Sequence, residues 1–172
     1  MYGAILPALP QIFEQSLPSP PPPPLPGMEA VPVVKIPKPP GNPVVLLQPF
    51  TVRGAGVDLQ PAAGRWRDIA GRNVPVPAVP RSALLDFQQR NTQRASLTRL
   101  RSQAVRIIWT EKAPFGSALY SLTLPGYSSN GDEAFVEVSV VDSPMSGGGQ
   151  LVYLRKVGKV WRVIAKRGTW IS

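Results

Sequence analysis

Apolar residues change their spacing along this chain, and the change predicts a helix followed by β-strands. In the segment 81–91, RSALLDFQQRN, the apolar side chains lie close to helical spacing, which favours a short helix. Ser82 is the predicted N-cap of this helix, and Asn91 is predicted to end it in the left-handed conformation. If the helix continues further, Leu97 and Leu100 extend its apolar face.

From residue 103 onwards the apolar residues recur at every second position, which is the period of a β-strand. In the segment 134–141, AFVEVSVV, this pattern turns the alanine and most of the valines inward and turns Glu137 and Ser139 outward. Gly158 and Lys159 are predicted to form a tight hairpin turn. The alternating segments are 103–112, 118–124, 134–141, 150–157 and 160–166.

These patterns predict an α+β fold for residues 81–172, with one N-terminal helix and a four- to five-stranded antiparallel meander sheet. Of the 22 prolines, all but Pro114, Pro125 and Pro144 precede this region. Residues 1–43 are therefore predicted to be a proline-rich, disordered arm with polyproline II character, either a spacer or a ligand for an SH3- or WW-like groove. Residues 44–80 are predicted to be an irregular linker with one possible strand.

That possible strand is the segment 44–52, VVLLQPFTV, and the pattern leaves open whether it joins the sheet. Trp66 lies in the same linker between two arginines. It is interpreted as an anchor that packs on the domain, the alternative being an exposed contact.

The composition excludes several kinds of chemistry. The chain has no cysteine and no histidine, so it has no disulfide, no thiolate nucleophile and neither of the usual nitrogen and sulfur metal ligands. We expect no cofactor, no metal site and a non-enzymatic function. The alternative, a small hydrolase or isomerase, requires a carboxylate, for which Glu137 is the first candidate and Glu111 the second.

The net charge is +9, and most of the excess cations fall in two stretches without acidic residues. Such a charge favours anionic partners. If the two stretches pack side by side, they form one basic surface on which Trp161 or Trp170 stacks with nucleic acid bases; the alternative is a solvated polar face. The first stretch holds Arg90, Arg94, Arg99, Arg101 and Arg106. The second holds Arg155, Lys156, Lys159, Arg162, Lys166 and Arg167.

A glycine triplet, Gly147, Gly148 and Gly149, separates two strongly predicted strands. Glycine permits positive φ and a close approach of other backbone. The triplet is predicted to be a ligand loop whose amides face an anion; the alternative is a wide hairpin loop or a bulged sheet edge.

The ending AFVEVSVVDSPMSGGGQLVYLRKVGKVWRVIAKRGTWIS resembles the ending of a group of small, uncharacterised and often secreted bacterial proteins. Their pattern runs GPL.G.G, then Y.LL.K..GKW.V, then W.S. The resemblance covers about residues 84–172 and departs at Ser143, where the group usually has glycine. It implies no known activity. The architecture also resembles NTF2-like and cystatin-like folds, in which a curved sheet wraps a helix.

Localisation is left open by the sequence. No apolar run reaches the length of a membrane-spanning helix, and the opening MYGAILPALPQIF lacks the basic region of a signal peptide. We expect a cytoplasmic protein if Met1 is the true start, and an envelope or secreted protein if a signal lies upstream. The expected partner is a protein bound by the arm or an anionic polymer, and the oligomeric state is open.

Overall fold

A computed structural model of the chain describes residues 5, 44–52, 65–78, 80–102, 105–114, 117–143 and 146–171. Most of the predicted proline-rich arm lies outside this part. The helix and strands are, in order, β1 (Val44–Leu47), α1 (Arg81–Arg90), β2 (Arg106–Trp109), β3 (Leu119–Leu122), β4 (Gly126–Tyr127), β5 (Glu133–Ser143), β6 (Ser146–Val157) and β7 (Val160–Ile171). The described helical residues form no segment of the length and apolar character that crossing a bilayer requires.

The strands form one mixed sheet in which β1 occupies an interior position. The order across the sheet is β2-β1-β3-β5-β6-β7, and β4 pairs with β5 as well. β1 runs parallel to both of its neighbours, whereas the other neighbouring strands are antiparallel. The α+β class is confirmed. The four- to five-stranded meander is wrong, because the described residues form seven strands and β1 adds a parallel segment.

The sequence of β1 explains its interior position. Its four residues, VVLL, are all apolar, so both of its faces can be buried, as is typical of parallel strands inside a sheet. Val45 and Leu47 are buried on one face, and Leu46 is half-buried on the other. The segment whose membership of the sheet the pattern left open therefore joins it through residues 44–47.

Both faces of the sheet carry packed side chains. The even-numbered residues of β5 from Ala134 to Val140 define the valine face, and the odd-numbered residues from Phe135 to Val141 define the helix face, on which α1 packs. The outward exposure predicted for Glu137 and Ser139 is wrong, because both are buried on the helix face. Alternation separates two faces correctly but does not show that both are covered.

The core on the valine face draws on residues far from the sheet in sequence. Ile5, from the arm predicted to be disordered, is fully buried in it. Leu97 is buried there too, and Leu100 packs against it. These two leucines do not extend α1, because the helix ends at Arg90 and the Leu97 N–H donates instead to the carbonyl oxygen of Pro49 at 2.8 Å.

α1 packs directly on the backbone of β4. A Cβ atom at Gly126 would lie 2.4 Å from the carbonyl oxygen of Ala83 and 2.4 Å from Cβ of Phe87, so only glycine allows this approach. Pro80 is the N-cap and makes no side-chain bond, so the predicted capping by Ser82 is wrong. Asn91 is the C-cap of the helix, as predicted, but its φ is −94°, which is not left-handed.

Asn91 then joins the helix end to the segment before β4. Its side-chain amide donates to the carbonyl oxygens of Phe87 and Leu124, each at 2.8 Å, and its Oδ1 accepts the Leu124 N–H at 2.7 Å. Because the amide is buried and bonded at both ends, it fixes α1 relative to the sheet.

The segment around Trp66 covers part of the β7 edge. Arg67 and Lys166 exchange both backbone hydrogen bonds, at 2.9 Å and 2.7 Å. This pairing places the Trp66 side chain against Phe135, Leu151 and other residues of the helix-face core, where it is buried. The interpretation of Trp66 as a packing anchor is confirmed.

The position of β1 leads to a matched stability prediction. Val45 is 1% exposed and Val44 is 54% exposed, although the two are neighbours in the same strand. Val45→Ala removes two buried methyl groups and should lower the free energy of unfolding by about 2 kcal/mol. Val44→Ala should change it by less than about 0.5 kcal/mol. Urea-induced unfolding measures both, and equal effects would contradict the interior position of β1.

Candidate functional site

The β6–β7 hairpin ends in a tight turn that carries exposed side chains. Gly158 has φ +62°, the left-handed conformation that such two-residue turns require, and the predicted turn is confirmed. Val157 and Val160, which pair across the turn, are both exposed. The segment 155–162, called here the hairpin end, therefore projects cations and apolar side chains together.

Four of the six cations predicted on this stretch are exposed at the hairpin end. They are Arg155, Lys156, Lys159 and Arg162. The placement of Lys166 and Arg167 on the basic surface is wrong, because each is only 4% exposed. Both lie in the middle of β7. The backbone of Lys166 is hydrogen-bonded to the backbone of Arg67, and the guanidinium carbon of Arg167 lies 5.4 Å from the centre of the Trp66 ring.

Arg155 is engaged within the fold. Its guanidinium donates to Tyr153 Oη at 3.0 Å and to Glu133 Oε1 at 2.9 Å, and Tyr153 Oη donates to the same carboxylate oxygen. These bonds, first with Tyr153 and then with Glu133, raise the pKa of Arg155. Three cations without such an ion pair in the described structure then remain at the hairpin end: Lys156, Lys159 and Arg162.

An aromatic pair connects the hairpin end to α1. The rings of Tyr127 and Trp161 are 5.9 Å apart with an interplanar angle of 56°. The guanidinium carbon of Arg90 lies 5.3 Å from the centre of the Tyr127 ring, and Trp161 is the cross-strand neighbour of Lys156. Cations therefore flank the pair on both sides, an arrangement that suits stacking with bases. Sequence alone gave no sign of Tyr127, because β4 has only two residues.

The two predicted basic stretches do not form a single surface. Arg99 and Arg101 lie in the connection between α1 and β2, and Arg101 donates to the carbonyl oxygens of Thr98 and Leu100, both at 2.8 Å. Arg106 lies on β2, five strand spacings or about 24 Å along the sheet from β7. Of the first stretch, Arg90 is the cation that the described contacts bring to the hairpin end.

The glycine triplet is part of β6 and not a loop. Trp170 of β7 explains why these positions lack side chains. A Cβ atom at Gly149 would lie 2.1 Å from Trp170 Nε1, and one at Gly147 would lie 3.2 Å from its Cη2. The indole therefore lies lengthwise over the two glycines, whereas Gly148 points to the opposite face.

Glu137 lies at the centre of the helix face. It faces away from Val136 and Val138 as predicted, and Thr169 Oγ1 donates to its Oε1 at 3.0 Å. Burial raises the pKa of Glu137, and the bond from Thr169 opposes that shift. Thr169 was not predictable, because a register shift in the β6–β7 pairing turns it toward Glu137. Glu111, the second candidate, is exposed.

No metal centre is formed by the part of the chain described here. It contains no group of three or more carboxylates close enough together to hold an ion, and the chain has no histidine or cysteine to supplement them. What the geometry offers is an exposed cationic and aromatic surface at the hairpin end and a buried carboxyl on the helix face.

Glu137 should make stability depend on pH. Its folded-state pKa lies above the ordinary value of 4.5, so the folded state binds this proton more tightly than the unfolded state does. The resulting stabilisation is full below the ordinary pKa and is lost as pH rises through the folded pKa. Glu137→Gln keeps a carbonyl acceptor for Thr169 and should lose less stability between about pH 4 and about pH 8 than the wild type.

Urea unfolding at the two pH values measures this difference. Glu111→Gln, which removes an exposed carboxylate, is the matched control and should behave as the wild type does. Parallel pH profiles for the wild type and Glu137→Gln would show that the buried carboxyl is not the source of the dependence.

Comparison with family models, curated proteins and solved structures finds no match to this chain. The resemblance of residues 84–172 to a group of small bacterial proteins therefore stays a hypothesis, and a functional assignment must come from the chain's own geometry.

Proposed function

We propose that this chain is a non-enzymatic binding domain whose hairpin end holds a flexible anionic polymer, of which single-stranded nucleic acid is the best-fitting example. The observation that carries the proposal is the grouping of three exposed cations at the hairpin end next to the Tyr127–Trp161 pair. Lys156 is the cross-strand neighbour of Trp161, Lys159 lies in the turn, and Arg162 lies opposite Arg155 on the other face of the hairpin. Phosphates of a single strand would lie against the cations, and a base would stack against the aromatic pair.

The charges of the hairpin end support a flexible ligand rather than a duplex. The three cations lie within seven residues around a turn, so they cover a short stretch of backbone. The aromatic rings lie beside Lys156 and are half-buried, which suits the exposed face of an unpaired base. A paired base would not present that face.

Two further hypotheses remain. The proline-rich arm could bind a protein partner, but most of it lies outside the described residues. The other hypothesis is an NTF2-like or cystatin-like fold with a hydrolase or isomerase site at Glu137. The packing of α1 on one face of the sheet supports the fold part of this hypothesis. The exposed cations favour the binding function, because the side chains of Lys156, Lys159 and Arg162 form no ion pair among the described residues, whereas the carboxyl of Glu137 accepts a bond from Thr169.

The test is fluorescence anisotropy of a labelled oligothymidine of about 12 nucleotides with the full-length chain at several salt concentrations. The variant Lys156→Gln, Lys159→Gln, Arg162→Gln should bind at least about tenfold more weakly at low salt. The slope of log K against log salt should become shallower by about 2, because three phosphate contacts are lost.

The matched control removes the same number of charges elsewhere. Arg99→Gln, Arg106→Gln, Lys112→Gln changes three exposed cations in the α1–β2 connection and around β2. Its affinity should stay within about threefold of the wild type at low salt. Equal losses in the two triple variants would reduce the effect to net charge, and absence of binding at low salt would overturn the proposal.

A further inference from the structure

The helix face has a second half that α1 does not cover. α1 packs over β4 and the start of β5. Further along the strands, Ser121, Ser139 and Gly149 are direct neighbours in register on β3, β5 and β6. Side chains in such a row point to the same face, so two hydroxyls lie side by side there.

Both serines are mostly buried, but neither hydroxyl oxygen is among the fully buried side-chain atoms of the described residues that lack a hydrogen-bond partner, so both oxygens still reach solvent. Ser121 is 9% exposed and Ser139 is 8% exposed. Among the described residues, neither hydroxyl makes a hydrogen bond within the protein. Two neighbouring hydroxyls that reach solvent and have no partner in the fold can donate hydrogen bonds to a ligand and accept them from it.

Other hydrogen-bonding groups border the same row. Glu137 precedes Ser139 by two positions on the same face, and one of its carboxyl oxygens accepts from Thr169. Trp170 Nε1 lies over Gly149, the next residue along the row. The indole is 39% exposed, so it offers an accessible edge beside the hydroxyls. Hydroxyl, carboxyl and indole N–H groups therefore converge on one small area.

The opposite border of the row is apolar. Val141, Leu119 and Leu46 are neighbours in register on β5, β3 and β1, one step further along the helix face. Val141 is exposed and the two leucines are half-buried. A few polar groups beside an apolar border are the usual lining of a small-molecule site.

Charge restricts the kind of ligand. The chain as a whole carries +9, which repels a cationic ligand. An anionic ligand would be brought next to the carboxyl of Glu137. Arg167, the cation nearest in register, lies one strand beyond Leu151 with its guanidinium over the Trp66 ring. A neutral ligand with several hydrogen-bonding groups fits these constraints.

We propose that this half of the helix face binds a neutral saccharide ring. Adjacent hydroxyls of the sugar would bond with Ser121 and Ser139, a third would bond with Glu137, and the C–H groups of the ring would pack against Trp170 and Val141. This site is separate from the hairpin end and does not depend on the function proposed for it.

The test uses the full-length chain labelled with ¹⁵N. The chain has four tryptophans, and the indole N–H signal that disappears in Trp170→Phe belongs to Trp170. Addition of methyl β-glucoside should shift this signal in a saturable way, with a dissociation constant of about 1 mM. Cyclohexanol, a ring of similar size with one hydroxyl, should bind at least about tenfold more weakly, since two hydrogen bonds are missing.

A variant tests the hydroxyl row itself. Ser121→Ala, Ser139→Ala should weaken glucoside binding about tenfold or more, whereas Ser129→Ala, at an exposed position, should leave it unchanged. The proposal is overturned if the Trp170 signal does not move up to about 20 mM glucoside. Equal affinity for cyclohexanol, or unchanged binding by the double variant, would overturn it as well.

Discussion

The pairing of β5 with β6 is the constraint on which the rest of the molecule depends. It runs in register from Glu133 opposite Arg155 to Val141 opposite Gly147. The rest of the sheet extends outward from this pair. β3 and β4 pair with β5, β7 pairs with β6, and β1 and β2 follow beyond β3. Because both of its faces are buried, a shift by one residue would exchange the two cores and place Glu137 among the valines.

The same register distributes the functional groups. At one end of β6 it places cations beside the turn at Gly158, and toward the other it places Gly149 under the Trp170 indole. The eight steps from Gly149 to Val157 span about 26 Å of strand. A cationic surface and a site for a neutral ligand can therefore share a hairpin, because the distance exceeds the range of screened electrostatic interactions.

Much of this fold could be predicted from local pattern. Alternation located β5, β6 and β7, helical spacing located α1, and Gly158 located the tight turn. These features depend on neighbours in sequence, and the physical preferences that produce them act over a few residues. The meander was wrong because the place of β1 depends on partners far along the chain, which no local pattern encodes.

The site was predicted less completely for a related reason. The burial of Lys166 and Arg167 depends on Trp66 and Arg67, about a hundred residues earlier. The glycine triplet has the composition of a loop, and only the indole that lies on it explains its strand conformation. Thr169 contacts Glu137 because of a register shift between β6 and β7, and no feature of the sequence predicts that shift. Hydroxyls such as Ser121 carry no pattern at all until strands pair.

The interior position of β1 has a consequence for how the chain acquires its structure. Val44 pairs with Arg106, 62 positions later, and Leu47 pairs with Tyr120, 73 positions later. During synthesis β1 emerges first but has no neighbour until β2, which ends at Trp109, has left the ribosome, and lacks its second neighbour until Leu122 has followed. During that interval β1 is an apolar strand with two unpaired edges, and the formation of such long-range strand pairs is slow. Chaperone dependence and sensitivity to premature termination should therefore be greatest while the chain ends between β1 and β3.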